Sequence, residues 1–274
     1  MAGRLTVCPT PIGNLEDLSS RARKALVEAD LVACEDTRRT GLLYERLGIP
    51  RPQLVSYHDG NEAERTPALT QRIERGARVT LTSDAGTPAI SDPGHRLIRE
   101  CVERGLEVEV LPGPSAIITA LVASALPIAR WRFIGFLPRR GGELERLLAV
   151  PDTIVAFESP RRLPESLAAL ATLAPERRAA VCRELTKLHE EVARGSLGEL
   201  ARRFRDQVRG EIVVVIAPAQ TVPDSADVAF AVDALRRLVQ AGARPRAAAG
   251  VVAALTGTRA NELYRQLTGR DPRE

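Results

Sequence analysis

The sequence predicts an α/β protein of two domains followed by a small helical tail domain, and three observations carry that prediction. Short β-favouring runs alternate with amphipathic helical stretches through most of the 274 residues. A Pro112-Gly113-Pro114 turn interrupts the alternation and reads as the junction between domains 1–112 and 113–220. Residues 218–227 then read as a linker, and the tail domain, 221–274, is helical in pattern. With 44% hydrophobic and 27% charged residues the chain can bury full cores.

The first strand is expected at 4–8, and the loop Pro9-Thr10-Pro11-Ile12-Gly13-Asn14-Leu15 after it is too Pro-constrained for helix. Asp17 or Ser19 then caps a helix to about residue 29, with Ala22, Ala25, Leu26 and Ala29 on one face. Residues 31–34 form the second strand, and Glu35-Asp36-Thr37-Arg38-Arg39-Thr40-Gly41 reads as a charged loop. A helix over 42–47 ends at Gly48, a strand follows at 53–57, and another helix precedes Gly76.

Residues 79–82 read as a buried strand running into Ser83, Asp84, Gly86, Thr87, Pro88, Ser91, Asp92, Pro93 and Gly94, more turn formers than a reversal needs. Two readings stay open. One is a ligand loop at the carboxyl end of a strand in an open α/β sheet. The other is a capped turn, with Asp92 as the cap and Pro93 in the first helical position. A helix at 96–104 and a strand at 106–111 complete the first domain.

In the second domain Ser115 caps a small-residue helix over 116–125, and a strand follows at 131–137. Arg139-Arg140-Gly141-Gly142 reads as a flexible basic tip before a helix carrying Leu144, Leu147 and Leu148. Polar clusters recur at strand ends: Glu158-Ser159-Pro160-Arg161-Arg162 after 153–157, and Arg183-Glu184-Leu185-Thr186-Lys187 after 179–182. A strand at 211–217 closes the second sheet. The tail offers helices at 231–241, 247–255 and 259–267, the last two joined by Thr256-Gly257-Thr258 with helix-turn-helix spacing. Its eight arginines stand against six acids, too mild an excess for reading DNA; holding structured RNA or a dimer partner suits it better.

Composition removes several classes. There is no run of about 18 apolar residues and no charged-then-apolar leader, so a membrane span and a secretory signal are not expected and the chain is placed in the cytoplasm. Cys8, Cys34, Cys101 and Cys182 lie far apart, as do His58, His95 and His189, so buried thiols are expected rather than a metal site or disulfides. A net charge of +4, with Lys only at 24 and 187, is compatible with a nucleic-acid partner. No interleaved surface aromatics of the kind that stack splayed bases are evident, so recognition through the shape of an assembled particle is expected.

Six segments, in order, carry a resemblance that spans essentially the whole chain: Thr10-Pro11-Ile12-Gly13-Asn14-Leu15, Glu35-Asp36-Thr37-Arg38, Ser83-Asp84-Ala85-Gly86-Thr87-Pro88, Leu111-Pro112-Gly113-Pro114, Gly135-Phe136-Leu137-Pro138 and Arg183-Glu184-Leu185-Thr186-Lys187. Together they resemble the bacterial 16S ribosomal RNA ribose 2'-O-methyltransferases that modify a decoding-centre cytidine, within the tetrapyrrole methylase-like superfamily. The resemblance implies two α/β domains holding S-adenosylmethionine in the cleft between them, usually in a homodimer, with 16S RNA of the 30S subunit as substrate. No G-x-G-x-x-G follows the first strand, which agrees with a non-Rossmann methyltransferase.

By similarity, Pro11, Ser83, Asp84, Ala85, Gly86 and Thr87 lie at the cofactor, Ser115 and Ala116 add a contact, and Glu158 and Leu185 close the cleft. Lys187, in a cluster with Arg183 and Glu184, is the leading catalytic candidate, through a lowered pKa or by stabilising a developing oxyanion; Asp36 is the competing base. Arg38, Arg139, Arg140 and Arg161, on loops, are candidates for phosphate contacts. The alternatives are a methyltransferase acting on a tetrapyrrole or other small molecule, and a non-catalytic RNA-binding assembly factor. The first loop reads Thr-Pro-Ile-Gly-Asn where tetrapyrrole enzymes typically carry a Gly-Pro-Gly-Asp-like sequence, which speaks against the former.

Overall fold

In the computed structural model, which describes residues 3–219, 225–256 and 258–268, the alternation folds into two five-stranded sheets and a separate set of three helices. The first sheet has strands β1 (Arg4–Val7), β2 (Leu31–Cys34), β3 (Gln53–Ser56), β4 (Arg78–Thr82) and β5 (Glu107–Val110) in the order β3-β2-β4-β1-β5. All its pairings are parallel. Parallel strands need crossovers, and these place helices on both faces. On one face Tyr44, Leu26 and Ala22 of α1 (Ser20–Glu28) and α2 (Thr37–Leu47) pack with Val32 and Cys34. On the other, α3 (Glu62–Glu74) and α4 (His95–Glu103) bring Leu69, Ile73, Leu97 and Cys101 onto Leu5, Val79 and Leu81.

The second sheet contains β6 (Trp131–Phe136), β7 (Thr153–Glu158), β8 (Arg178–Arg183), β9 (Glu191–Ser196) and β10 (Ile212–Ile216), ordered β6-β7-β10-β8-β9. It is mixed: β6 runs parallel to β7, while the remaining pairs are antiparallel. Period-two alternation sends Ile212, Val214 and Ile216 to the face covered by α6 (Gly141–Leu148), α7 (Leu163–Leu173) and α8 (Leu197–Arg203). Val213 and Val215 face Ile117, Ala120 and Leu121 of α5 (Ala116–Ser124), and Ile12 from the first half reaches this same cluster. Ser115 caps α5 as expected, its hydroxyl accepting the Ile118 N–H.

Several local expectations change. Residues 37–41 are helix, because the Asp36 carboxylate accepts the Arg38 N–H at 2.8 Å and caps α2 several residues earlier than a charged loop would allow; Arg38 therefore rides on a helix. Asp92 does not cap α4: Gly94 occupies the cap position and no side chain bonds there, so the capped-turn reading of residues 83–94 fails. Gly141 and Gly142 open α6 rather than forming a tip, leaving Arg139 on the approach and Arg140 at the cap. The strand expected to close the second sheet is its central strand, and the edge opposite β6 is β9, a strand whose mixed composition Glu-Val-Ala-Arg-Gly-Ser gave no β signal.

The chain divides by its internal contacts into units 1–218 and 219–274. In the second, α9 (Ser225–Gln240), α10 (Pro245–Thr256) and α11 (Ala260–Thr268) pack Ala231, Leu235, Ala249, Val252 and Leu263 into their own core. The helix expected at 231–241 thus begins earlier, at Ser225. The centre of the expected linker (220–224), Gly257 of the interhelical turn, and residues 269–274 lie outside the described residues. All four cysteines are free and buried. Among the described residues no helix is long and apolar enough to cross a membrane, and no cluster of metal-ligating side chains is present.

Candidate active site

In the first sheet β1 and β4 are neighbours, yet α1, which follows β1, packs on one face of the sheet and α4, which follows β4, packs on the other. Connections that leave neighbouring strands for opposite faces open a crevice at the carboxyl ends of the two strands. The loops there are joined. Thr10 and Gly86 exchange backbone hydrogen bonds of 2.9 and 3.0 Å, and the Thr10 hydroxyl donates to the Ser83 carbonyl at 3.2 Å. The buried Ser83 hydroxyl donates to the carbonyls of Ala85 and Gly86, holding the loop from behind. Ala89 and Ser91 adopt φ of 70° and 61°, left-handed values that side chains adopt only when their surroundings enforce them.

A second strained loop faces it from the other sheet: Glu184 and Thr186 have φ of 51° and 65°. The Asn14 N–H donates to the Thr186 hydroxyl at 3.1 Å. At Gly13 a Cβ would stand 2.4 Å from Lys187 Cγ and 2.6 Å from Thr186 Oγ1, so only glycine lets the two loops meet. Lys187 Nζ lies 2.9 Å from Glu184 Oε1 and 3.0 Å from Glu211 Oε2. Burial works against its charge, but the two carboxylates outweigh burial and raise its pKa, so Lys187 is an ammonium at neutral pH. A lowered pKa, one of the two routes open from the sequence, is therefore contradicted. Asp36 is spent on capping α2, and the hydrogen bond from the Arg38 N–H leads in pulling its pKa down, a poor disposition for a base.

Between the loops lies a cleft of about 620 Å³, within the size range of small-molecule sites. Of the residues expected at the cofactor, Ala85, Gly86, Thr87, Ser115, Ala116, Glu158 and Leu185 line it. Pro11, Ser83 and Asp84 stand outside the lining. Asp84 is instead tied to Arg39 at 2.8 Å and accepts the Asp36 N–H at 3.2 Å. Glu158 is fully enclosed, accepting from the Ser159 N–H and Ser166 hydroxyl and paired with Arg162 at 3.3 Å.

Two further carboxyls line the cleft, Asp92 and Glu211, neither singled out from the sequence as a site residue. Burial chiefly, then the negative charge of Glu35, raises Asp92 to about 6, with the Ser83 hydroxyl acting in the opposite sense. The described lining thus carries three carboxyls and no Lys or Arg. Glu158 and Glu211 are already paired with Arg162 and Lys187, which stand outside the lining, and the backbone-rich, small-residue loops leave space for an extended polar ligand. The expected phosphate contacts are not gathered in the cleft: Arg38, Arg139, Arg140 and Arg161 are exposed, the last directly after Pro160 of the lining.

One feature of the cleft was not evident in the sequence. Trp131, Phe133, Phe136 and Phe157 all line the cleft, four of the nine aromatic residues in the chain. They are scattered in sequence, and only pairing of β6 with β7 assembles them.

Residues 4–201 match the family model described as Tetrapyrrole (Corrin/Porphyrin) Methylases. A protein named ribosomal RNA small subunit methyltransferase I from Mesorhizobium japonicum is 45% identical over 270 residues, covering 96% of this chain and 90% of that protein. The protein of the same name from Mycobacterium tuberculosis is 46% identical, covering 96% and 94%. Among solved structures, uroporphyrin III C-methyltransferase from Thermus thermophilus superposes with a TM-score of 0.56 at 20% identity, covering 78% of this chain and 97% of that one, which shows a shared fold. The paired sheets with a cleft at their strand ends and the agreement along nearly the full length make this chain a member of the tetrapyrrole methylase family, among the ribosomal RNA small subunit methyltransferase I proteins.

Proposed function

We propose that this protein transfers a methyl group from S-adenosylmethionine to the ribose 2'-oxygen of a cytidine in the decoding centre of 16S ribosomal RNA, acting in the cytoplasm on the 30S subunit as a homodimer. The observation that carries this reading is the cleft itself, in which small-residue loops of the first sheet face the strand ends of the second beside the carboxyls of Asp92 and Glu211, in a chain otherwise rich in exposed arginine. A cleft of this size with backbone-rich walls suits a small polar donor, while arginines outside it meet phosphate. Curated relatives named for small-subunit ribosomal RNA methylation support RNA as the substrate.

When bound, the cofactor supplies an electrophilic methyl on a positively charged sulfur. Residues 85–87, Ser115, Ala116 and Leu185, which line the cleft, would hold it. The ribose hydroxyl has to lose a proton as its oxygen forms the new bond to carbon. Glu211, in the lining and paired with Lys187, is positioned to receive that proton. Lys187, with Glu184 as its anchor, keeps a positive charge behind Glu211 and favours charge developing on oxygen. Most of the rate comes from alignment, since in-line displacement is sensitive to the angle of attack.

The test is transfer of labelled methyl to unmodified 30S subunits, free 16S RNA and a tetrapyrrole precursor, with mapping of the product. Label on a ribose 2'-oxygen of the 30S particle is expected. Label on the small molecule alone overturns the proposal in favour of tetrapyrrole chemistry, and cofactor binding without any transfer favours an assembly factor.

A further inference from the structure

Strand β6 lies at an edge of the second sheet and carries Trp131 and Phe133 on the cleft face, with Ile134 on the opposite face in the core beneath α6 and α7. Strict alternation would send Phe136 the same way as Ile134. It does not go there. Phe133 pairs with Val155 and Phe136 with Phe157, so β6 advances three residues while β7 advances two. The extra residue is a β-bulge, and Gly135 within it has φ of 71°, a conformation glycine adopts without strain. The bulge turns Phe136 back to the cleft face, where its ring meets Phe157 edge-on at 5.8 Å between centroids. Phe157 in turn meets Phe133 at 5.1 Å.

The result is a stepped aromatic wall. Phe133 and Phe157 are partly buried, whereas Phe136 is 58% exposed and Trp131 is 39% exposed. The bend exchanges one core side chain for another: Leu137, the next residue, takes the buried place beneath α6 and α7, and the larger ring of Phe136 is left facing water at the mouth of the cleft. Bulges next to functional sites commonly re-aim a side chain toward a ligand. Three residues past Phe136 the chain reaches the exposed pair Arg139 and Arg140, so a flat apolar face and phosphate-binding charge occur together on one connection. That combination recognises a nucleobase within a polynucleotide: the ring stacks on the base and the guanidiniums meet the flanking phosphates.

We infer that the bulge at Gly135 presents Phe136 as the stacking platform for the base of the nucleotide whose ribose is methylated, with Trp131 beside it. This inference rests on the proposed RNA methyltransferase activity and adds to it the residue that receives the target base. The outermost rings serve the group arriving from the macromolecule, and the polar loops of the deeper cleft serve the cofactor.

The full-length protein and its Phe136→Ala, Phe136→Leu and Phe136→Tyr variants would be compared for S-adenosylhomocysteine affinity by calorimetry and for methyl transfer to 30S subunits at varied subunit concentration. Leu keeps apolar bulk without a π face, and Tyr restores the face. Loss of one base–aromatic stack lowers kcat/KM by about 10-fold or more in the Ala and Leu variants, with KM for the subunit carrying much of the change. Affinity for S-adenosylhomocysteine stays within about twofold, and Tyr retains near-parental transfer. Fluorescence of Trp131, the single tryptophan of the chain, is quenched when a cytidine-containing single strand is added to the S-adenosylhomocysteine complex. Equal loss of cofactor affinity and transfer would assign the ring to the cofactor and overturn the inference. So would unchanged transfer in the Ala and Leu variants. Absence of transfer by the parent protein itself defeats the activity, a separate failure.

Discussion

Lys187 keeps its proton because Glu184 and Glu211 both lie within 3.0 Å of its ammonium, and this sets what the side chain can do. A group so paired serves through its charge, not as a base. Lys187→Ala is expected to lower kcat by about 100-fold, the scale of losing one well-placed electrostatic contact, while cofactor affinity measured by calorimetry changes little. Asp92 makes a different prediction. Its carboxyl titrates at about 6 in the folded chain against an ordinary 3.8, so the native state holds the proton more tightly than the unfolded state does. Stability associated with this group is complete at low pH and is lost as pH rises toward and through 6. Asp92→Asn is therefore expected to melt at a higher temperature than the parent above about pH 6.5, with the difference vanishing near pH 4. Thermal melts across that range check it; an equal offset at every pH would point to packing.

Two connections decide the geometry of the cleft. Residues 9–15 after β1 and residues 184–187 after β8 meet at Gly13, where a Cβ would collide with Thr186 Oγ1 and Lys187 Cγ and come within 3.1 Å of the Leu185 carbonyl. Gly13→Ala is expected to cost about 1–3 kcal/mol in urea unfolding, as overpacking does, and to weaken cofactor binding together with stability. At α2 the question is whether Asp36 is a cap or a base. As a cap, Asp36→Ala lowers Tm by about 2–4 °C with turnover retained, and loss of turnover at unchanged Tm would restore it as the proton acceptor. The expectation of a charged loop over 35–41 went astray because the cap and the two arginines look alike in a loop and in a first helical turn. Polar side chains have no periodic signature until the backbone has chosen.

The unit containing both sheets and the unit of three helices each have a core of their own. A chain ending at residue 218 is accordingly expected to unfold cooperatively and to bind S-adenosylhomocysteine with the affinity of the full chain, checked by circular dichroism and calorimetry. Transfer to 30S subunits by that shorter chain would show directly how much of RNA recognition the three helices provide.

Much of this molecule was readable from its residues. Hydrophobic runs and turn formers located nine of the ten strands among the described residues, because burial and backbone restriction act over a few neighbouring positions. The loop at 83–94 stood out for the same local reason, and seven of the ten residues expected at the cofactor do line the cleft. Other features depend on pairing between distant segments. Which strands are neighbours puts the crevice between β1 and β4, and the register of β6 on β7 places the bulge that carries Phe136 to the cleft. The folded chain also sets Glu211 beside Lys187 and encloses Asp92 among acids contributed by several loops. Local propensity follows from each residue and its near neighbours, whereas register, burial and charge coupling arise only when segments far apart in sequence come to within a few ångströms of one another.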